Sequence, residues 1–188
     1  MPRLSRSGFL ASAAALALAP SALADPLADA DLAGARVLVT VELLLQDFYG
    51  RALAAKRLGP EGRDGLLRGR SNETEHLAAV SQILVGAGQV PATADDIDFA
   101  YPDHAYDSVA SIAQLGAALE QLALGAYLGA VADVKSVALK QPLARIAACE
   151  AQHLGFFRGI ATGHELAQSF PDPLTVDAVS NALDRYTS

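Results

Sequence analysis

The chain has 188 residues, 52% of them hydrophobic and 19% charged, with 14 basic residues against 21 acidic ones and a formal charge of −7. That size and apolar content suit one domain whose core needs neither a disulfide nor a metal to fold, and the single cysteine, Cys149, excludes an internal disulfide. The acidic balance argues against nucleic acid as a partner, and most such charge simply keeps a protein soluble.

Residues 1–24 read as a signal peptide. Arg3 and Arg6 give a positive start, Phe9 to Ala19 is an apolar run, and Ala22-Leu23-Ala24 is a small-x-small cleavage site. Cleavage is expected before Asp25, which would place a mature domain of residues 25–188, with a formal charge of −9, in the periplasm or outside the cell. The run is too short to span a bilayer comfortably and ends at Pro20, so no stable membrane anchor is expected after cleavage. Arg3 and Arg6 are not adjacent, as a twin-arginine signal requires, and the export route stays open.

A first helix is expected from Asp29 to Lys56, with Leu38, Glu42, Leu45, Tyr49 and Ala52 on one face and Asp29 or Asp31 as N-cap. Leu58-Gly59-Pro60 breaks it. A second helix, from about Glu61 to Val85, turns Leu66, Gly69, Glu73, His76, Val80 and Ile83 inward, and Gly86 and Gly88 end it. Glu75, two positions from Glu73, points elsewhere and reads as a solvated carboxylate. Residues 89–107 hold Pro91, Pro102 and five aspartates without apolar periodicity, and so read as a long connection carrying a surface histidine, His104. Nineteen residues reach about 60 Å when extended, enough to travel a bundle about 35 Å long. The helices on either side of it would then run parallel.

A third helix is expected from a cap at Asp107 or Ser108 to about Ala132, past Val109, Ala113, Gly116, Glu120, Ala123 and Tyr127. Its glycines, Gly116, Gly125 and Gly129, cost about 1 kcal/mol each relative to alanine and would let a neighbouring helix approach closely. A turn at Asp133 to Ser136 leads to a fourth helix, with Leu143, Ile146, Glu150, His153, Phe157 and Ile160 inward and Gly163 closing it. Its start is contested, because Pro142 suits a first turn whereas alignment of the glutamates wants six residues more. Cys149 falls in this helix and reads as a small buried apolar residue. His164 lies just past the end, exposed or capping it. Phe170 to Leu174 forms a turn, and Thr175 caps a short terminal helix through Tyr186.

Two copies of one pattern stand out. Glu42 precedes Glu73-Thr74-Glu75-His76 by 31 residues, and Glu120 precedes Glu150-Ala151-Gln152-His153 by 30. Tyr49 and Tyr127 each follow the lone glutamate by seven, which on a helix puts them on its face, about 10 Å along. A Glu-x-x-His step leaves both side chains about 60° apart on one turn, which is metal-ligand spacing. Glu42 in Leu38-Val39-Thr40-Val41-Glu42-Leu43-Leu44-Leu45 and Glu120 in Ala117-Ala118-Leu119-Glu120-Gln121-Leu122 are flanked by residues that want burial. A buried carboxylate with no Lys or Arg nearby needs a metal cation or a proton.

At these residues the chain resembles the ferritin-like superfamily, specifically exported ferritin-like domain proteins related to bacterioferritin, rubrerythrin and desiccation-related proteins, over roughly residues 30 to 188. The resemblance implies an all-α, up-down-down-up four-helix bundle with a long crossover between helices 2 and 3 and a short C-terminal helix. It implies two metal ions held by Glu42, Glu73, His76, Glu120, Glu150 and His153. Four carboxylates with two imidazoles suit Fe and Mn and tolerate Zn, and in the resembling families the ions react with dioxygen or peroxide. Tyr49 and Tyr127 are then either core aromatics hydrogen-bonded near the metals or electron donors to them. Two functions follow: a redox protein of ferroxidase or peroxidase kind, or a metal-stabilised structural or stress protein without turnover. A homo-oligomer is compatible with either, although the long crossover and C-terminal tail look unlike those of cage-forming ferritins.

Overall fold

In the computed structural model, residues 26–166 and 169–187 are described; the expected signal peptide and its cleavage site lie outside them. Four long helices follow in order: α1 (Asp29–Ala55), α2 (Pro60–Gly86), α3 (Val109–Asp133) and α4 (Val137–Thr162), with a short α5 (Val176–Leu183) at the end. Among the described residues the only β pairing is a single bridge between Phe99 and Thr187.

The turns are made where backbone chemistry permits them. Lys56 closes α1 in the left-handed region at φ 54°, and Pro60 opens α2 at its first position, where the missing N–H costs no helical bond. Ser108 caps α3 by accepting from the Ser111 N–H at 3.0 Å. In α4 the alignment of the glutamates prevails over proline preference: the helix starts at Val137 and carries Pro142 inside it. Packing of the inner face outweighs the one hydrogen bond that Pro142 cannot donate.

Asp31 does not cap its own helix. It is buried and accepts from the backbone N–H groups of Lys135 and Ser136 at 2.9 and 3.1 Å, which ties the start of α1 to the α3–α4 turn and makes α1 antiparallel to α3. With two tight hairpins and the crossover of residues 87–108, the order is up-down-down-up. The crossover contains a 3-10 turn at Ala94–Asp96 and the bridging Phe99, and is pinned by Tyr101, whose hydroxyl donates to the Leu44 carbonyl at 3.2 Å beneath the Arg51 guanidinium.

Every inward position expected on α1 and α2 is buried, whereas Val109 of α3 is exposed and Ile160 of α4 half-buried, because both lie at bundle ends. The close approach permitted by Gly125 and Gly129 is used by a different element from the one expected. It is the extended segment before α5 that lies there: Leu174 N–H donates to the Gly125 carbonyl at 2.9 Å, and a Cβ on Gly129 would stand 1.8 Å from the Leu174 carbonyl oxygen. α5 itself ends at Leu183, three residues short of Tyr186. α3 is apolar and long enough to cross a membrane by composition, yet most of that surface is buried in the bundle around Glu120.

Candidate metal centre

All six expected ligands converge. The four helices present them at one level, and the structure forms two groups, Glu42, Glu73, His76 and Glu150 on one side and Glu73, Glu120, Glu150 and His153 on the other. In each group one ligand atom from every residue lies within 4.8 Å of the others. Glu73 and Glu150 belong to both groups, which makes them the central pair. The four glutamates have 0% exposure, and His76 and His153 have 9% and 7%.

Each imidazole turns Nδ1 inward against two carboxylates. His76 Nδ1 lies 3.2 Å from Glu73 Oε2 and 2.8 Å from Glu150 Oε1, and His153 Nδ1 lies 3.1 Å from Glu150 Oε2 and 2.7 Å from Glu73 Oε1. Glu42 and Glu120 stand further off, at 3.9 and 3.8 Å. A single Nδ1–H cannot serve so many acceptors. Glu42 Oε2 and Glu120 Oε2 are buried with no hydrogen bond, and Glu73 Oε1 and Glu150 Oε1, though close to an imidazole nitrogen, make none of acceptable geometry, so each carboxylate has one oxygen left unsatisfied. Such oxygens are costly unless a cation meets them. Two divalent ions would balance the four negative charges, so the donor set fits a pair of metal ions.

Protonation shows the same imbalance. Burial, reinforced by the neighbouring Glu73 and Glu150 charges, pushes the Glu42 carboxyl well above its usual range; burial and Glu73 do the same to Glu120. Burial would also raise Glu73, but contacts with His153 and His76 outweigh it and hold that carboxyl at about 2. Burial disfavours the charged imidazoles, yet contacts with Cys149 and the surrounding carboxylates more than offset it and raise both histidines. Protons therefore occupy the place where cations would act.

The tyrosines cross between lone helices. Tyr49 of α1 donates to Glu120 Oε1 of α3 at 2.6 Å, and Tyr127 of α3 donates to Glu42 Oε1 of α1. Each phenol satisfies one oxygen of a lone glutamate and leaves the other aimed at the cluster. Burial and the adjacent carboxylate push both phenols upward, so they stay neutral donors. Gly69, four residues before Glu73, gives the Tyr49 ring its space: a Cβ there would meet Cε1 at 2.5 Å.

Away from this cluster the expectations for Glu75, His104 and His164 hold, since all three are exposed. Cys149 is corrected. It is half-buried, its thiol sits 3.6 Å from His153 Nε2, and contacts with His153 and His76 outweigh burial to lower it to about 7. Sequence reasoning also missed Asn72, whose amide lies 3.0 Å from the same nitrogen. A signal was present: Asn72 and Cys149 are 77 residues apart, the offset of the paired ligands themselves.

A helical bundle whose interior carries two carboxylate and imidazole groups joined by shared glutamates is the architecture of a protein able to hold metal ions. The chain belongs to the ferritin-like domain family, whose model matches residues 30–163. That stretch includes all six residues of the cluster. No curated protein matches the chain.

Proposed function

We propose that this is an exported di-iron carboxylate protein that carries out a redox reaction of iron with dioxygen or peroxide, of ferroxidase or peroxidase kind. The observation that carries this reading is the pair of buried groups sharing Glu73 and Glu150, with one oxygen of each of four carboxylates lacking a hydrogen bond of acceptable geometry. Glu42, Glu73, His76 and Glu150 would hold one ion, and Glu73, Glu120, Glu150 and His153 the other. Oxygen-rich donors with two imidazoles favour Fe, and also accept Mn or Zn. When bound, an iron pair supplies two electrons to the oxidant.

The protein's own contribution is to hold, neutralise and shield. Glu73 and Glu150 keep both sites at one spacing, Tyr49 and Tyr127 fix the lone glutamates through their outer oxygens, and Phe48, edge-on, and Phe157, tilted, pack against Tyr49 to keep water from that flank. Six side chains divided between two ions leave room for oxidant even with two of them shared.

Two Fe(II) per chain added aerobically should give ferric absorbance faster than buffer alone, and His76→Ala or Glu120→Ala should lose this while remaining helical by circular dichroism. Peroxide replaces air in a parallel run. A protein that binds two irons but oxidises them no faster than buffer with either oxidant is a metal-stabilised structural or stress protein instead. Export is tested by mass spectrometry on material from the native host, where a chain starting at Asp25 is expected and an intact Met1 overturns it.

A further inference from the structure

With Nδ1 of each imidazole facing the carboxylates, Nε2 faces outward, and there the two halves of the centre differ. His153 Nε2 lies 3.0 Å from Asn72 Nδ2 and 3.6 Å from Cys149 Sγ, and Asn72 Nδ2 donates to that sulfur at 3.5 Å. Asn72 immediately precedes Glu73, and Cys149 immediately precedes Glu150, so the two occupy the same position of the repeat. The bundle brings these equivalent positions together between α2 and α4. One supplies a carboxamide and the other a thiol, and both stand at His153 Nε2.

An imidazole that ligates through Nδ1 while neutral carries its hydrogen on Nε2 and needs an acceptor there. Asn72 turns Nδ2 to that nitrogen in this structure, and a half-turn of the amide, which exchanges its oxygen and nitrogen in place, brings Oδ1 there as the acceptor. A fixed acceptor on the outer N–H locks tautomer and ring plane and makes the inner nitrogen a better donor to metal. Among the described residues His76 makes its hydrogen bond through Nδ1, and no side chain is hydrogen-bonded to its Nε2. The two halves are therefore matched in their inner donors and unmatched in their outer support.

We propose that Asn72 is a positioning residue that holds His153 as the Nδ1-ligating tautomer and makes the site of Glu73, Glu120, Glu150 and His153 the tighter of the two. This rests on the metal-binding reading above, and zinc tests both without any turnover. The full-length chain, freed of metal, is titrated calorimetrically with Zn(II), and the zinc-loaded protein carrying ¹⁵N-histidine reports both tautomers by NMR. Wild type should take two ions with unequal constants and show His153 protonated at Nε2.

Asn72→Leu removes the acceptor at similar volume and should weaken the tighter site about 10- to 100-fold, leave the other constant within about twofold, and blur the His153 tautomer alone. Asn72→Asp restores an acceptor and should retain both ions and the tautomer, which guards against a variant that merely packs badly. Equal constants in wild type, an Asn72→Leu protein with both constants and both tautomers unchanged, or equal weakening at both sites would overturn the proposal. Failure of wild type to bind zinc, manganese or iron at all would instead remove the metal centre on which it stands.

Discussion

Glu42, Glu73, Glu120 and Glu150 set the chemistry of the interior, because carboxylates at 0% exposure must be met by protons, donors or cations. Without metal, the raised groups Glu42, Glu120, His76 and His153 bind protons more tightly folded than unfolded. The stability they contribute is fully present below the unfolded pKa, about 4.3 for the carboxyls and about 6.5 for the imidazoles, and is lost as pH climbs toward the native values. Glu73, held at about 2, acts oppositely, but its stability is lost only as pH falls from about 4.3 through 2. Between pH 5 and 8 the four raised groups decide the sign. The chelated protein should unfold at a lower temperature at pH 8 than at pH 5, and metal should restore more at pH 8 because binding displaces those protons. A metal-free midpoint that rises across this window would contradict the assignment. At the same scale, Tyr127→Phe leaves Glu42 without its donor and should cost about 1–3 kcal/mol in urea unfolding, while two metal ions still bind.

Among the elements, α3 shows how a local liability becomes a packing requirement. Gly129 weakens the helix by about 1 kcal/mol relative to alanine, yet a Cβ there would stand 1.8 Å from the Leu174 carbonyl oxygen and push away the segment that leads into α5. Gly129→Ala should therefore destabilise by about 1–3 kcal/mol, the overpacking cost exceeding the propensity gain. Gly50 in α1 has nothing within 4 Å of its would-be Cβ, and Gly50→Ala should stabilise by about 1 kcal/mol. Thermal unfolding of both variants should thus give opposite signs, and a matching sign would refute this account of the tail. The same tension governs α4, where Pro142 sits inside the helix because Glu150 and His153 must reach the level of Glu73.

On the scale of the molecule, most stability comes from the apolar interior that surrounds the cluster, including Phe48, Leu66, Ile112, Leu119 and Phe157. The metal-free chain should therefore fold. Metal bound only to the native state at a hundred times its dissociation constant adds about 2.7 kcal/mol, which for a domain this size raises the midpoint by about 5–10 °C. Thermal unfolding with and without chelator measures this, and an unchanged midpoint after verified metal removal would count against the centre.

Helix number, the crossover and the six clustered residues were legible in the sequence because each rests on local periodicity: a Glu-x-x-His step fixes two side chains on one turn, and two copies with matched upstream glutamates fix the bundle level. Contacts between residues distant in sequence carried no such signature. Asp29 or Asp31 was read as the cap of α1, but the partners of Asp31 lie 104 and 105 residues away, and Cys149 was read as a plain core residue because its Asn72 partner comes from another helix. Which tyrosine serves which glutamate is likewise a property of antiparallel α1 and α3, over separations of 71 and 85 residues. Helical periodicity, which repeats every few positions, was enough to pick out the inward-facing residues away from the bundle ends. What each of them meets there depends on how whole helices pack, and so became visible in the folded bundle alone.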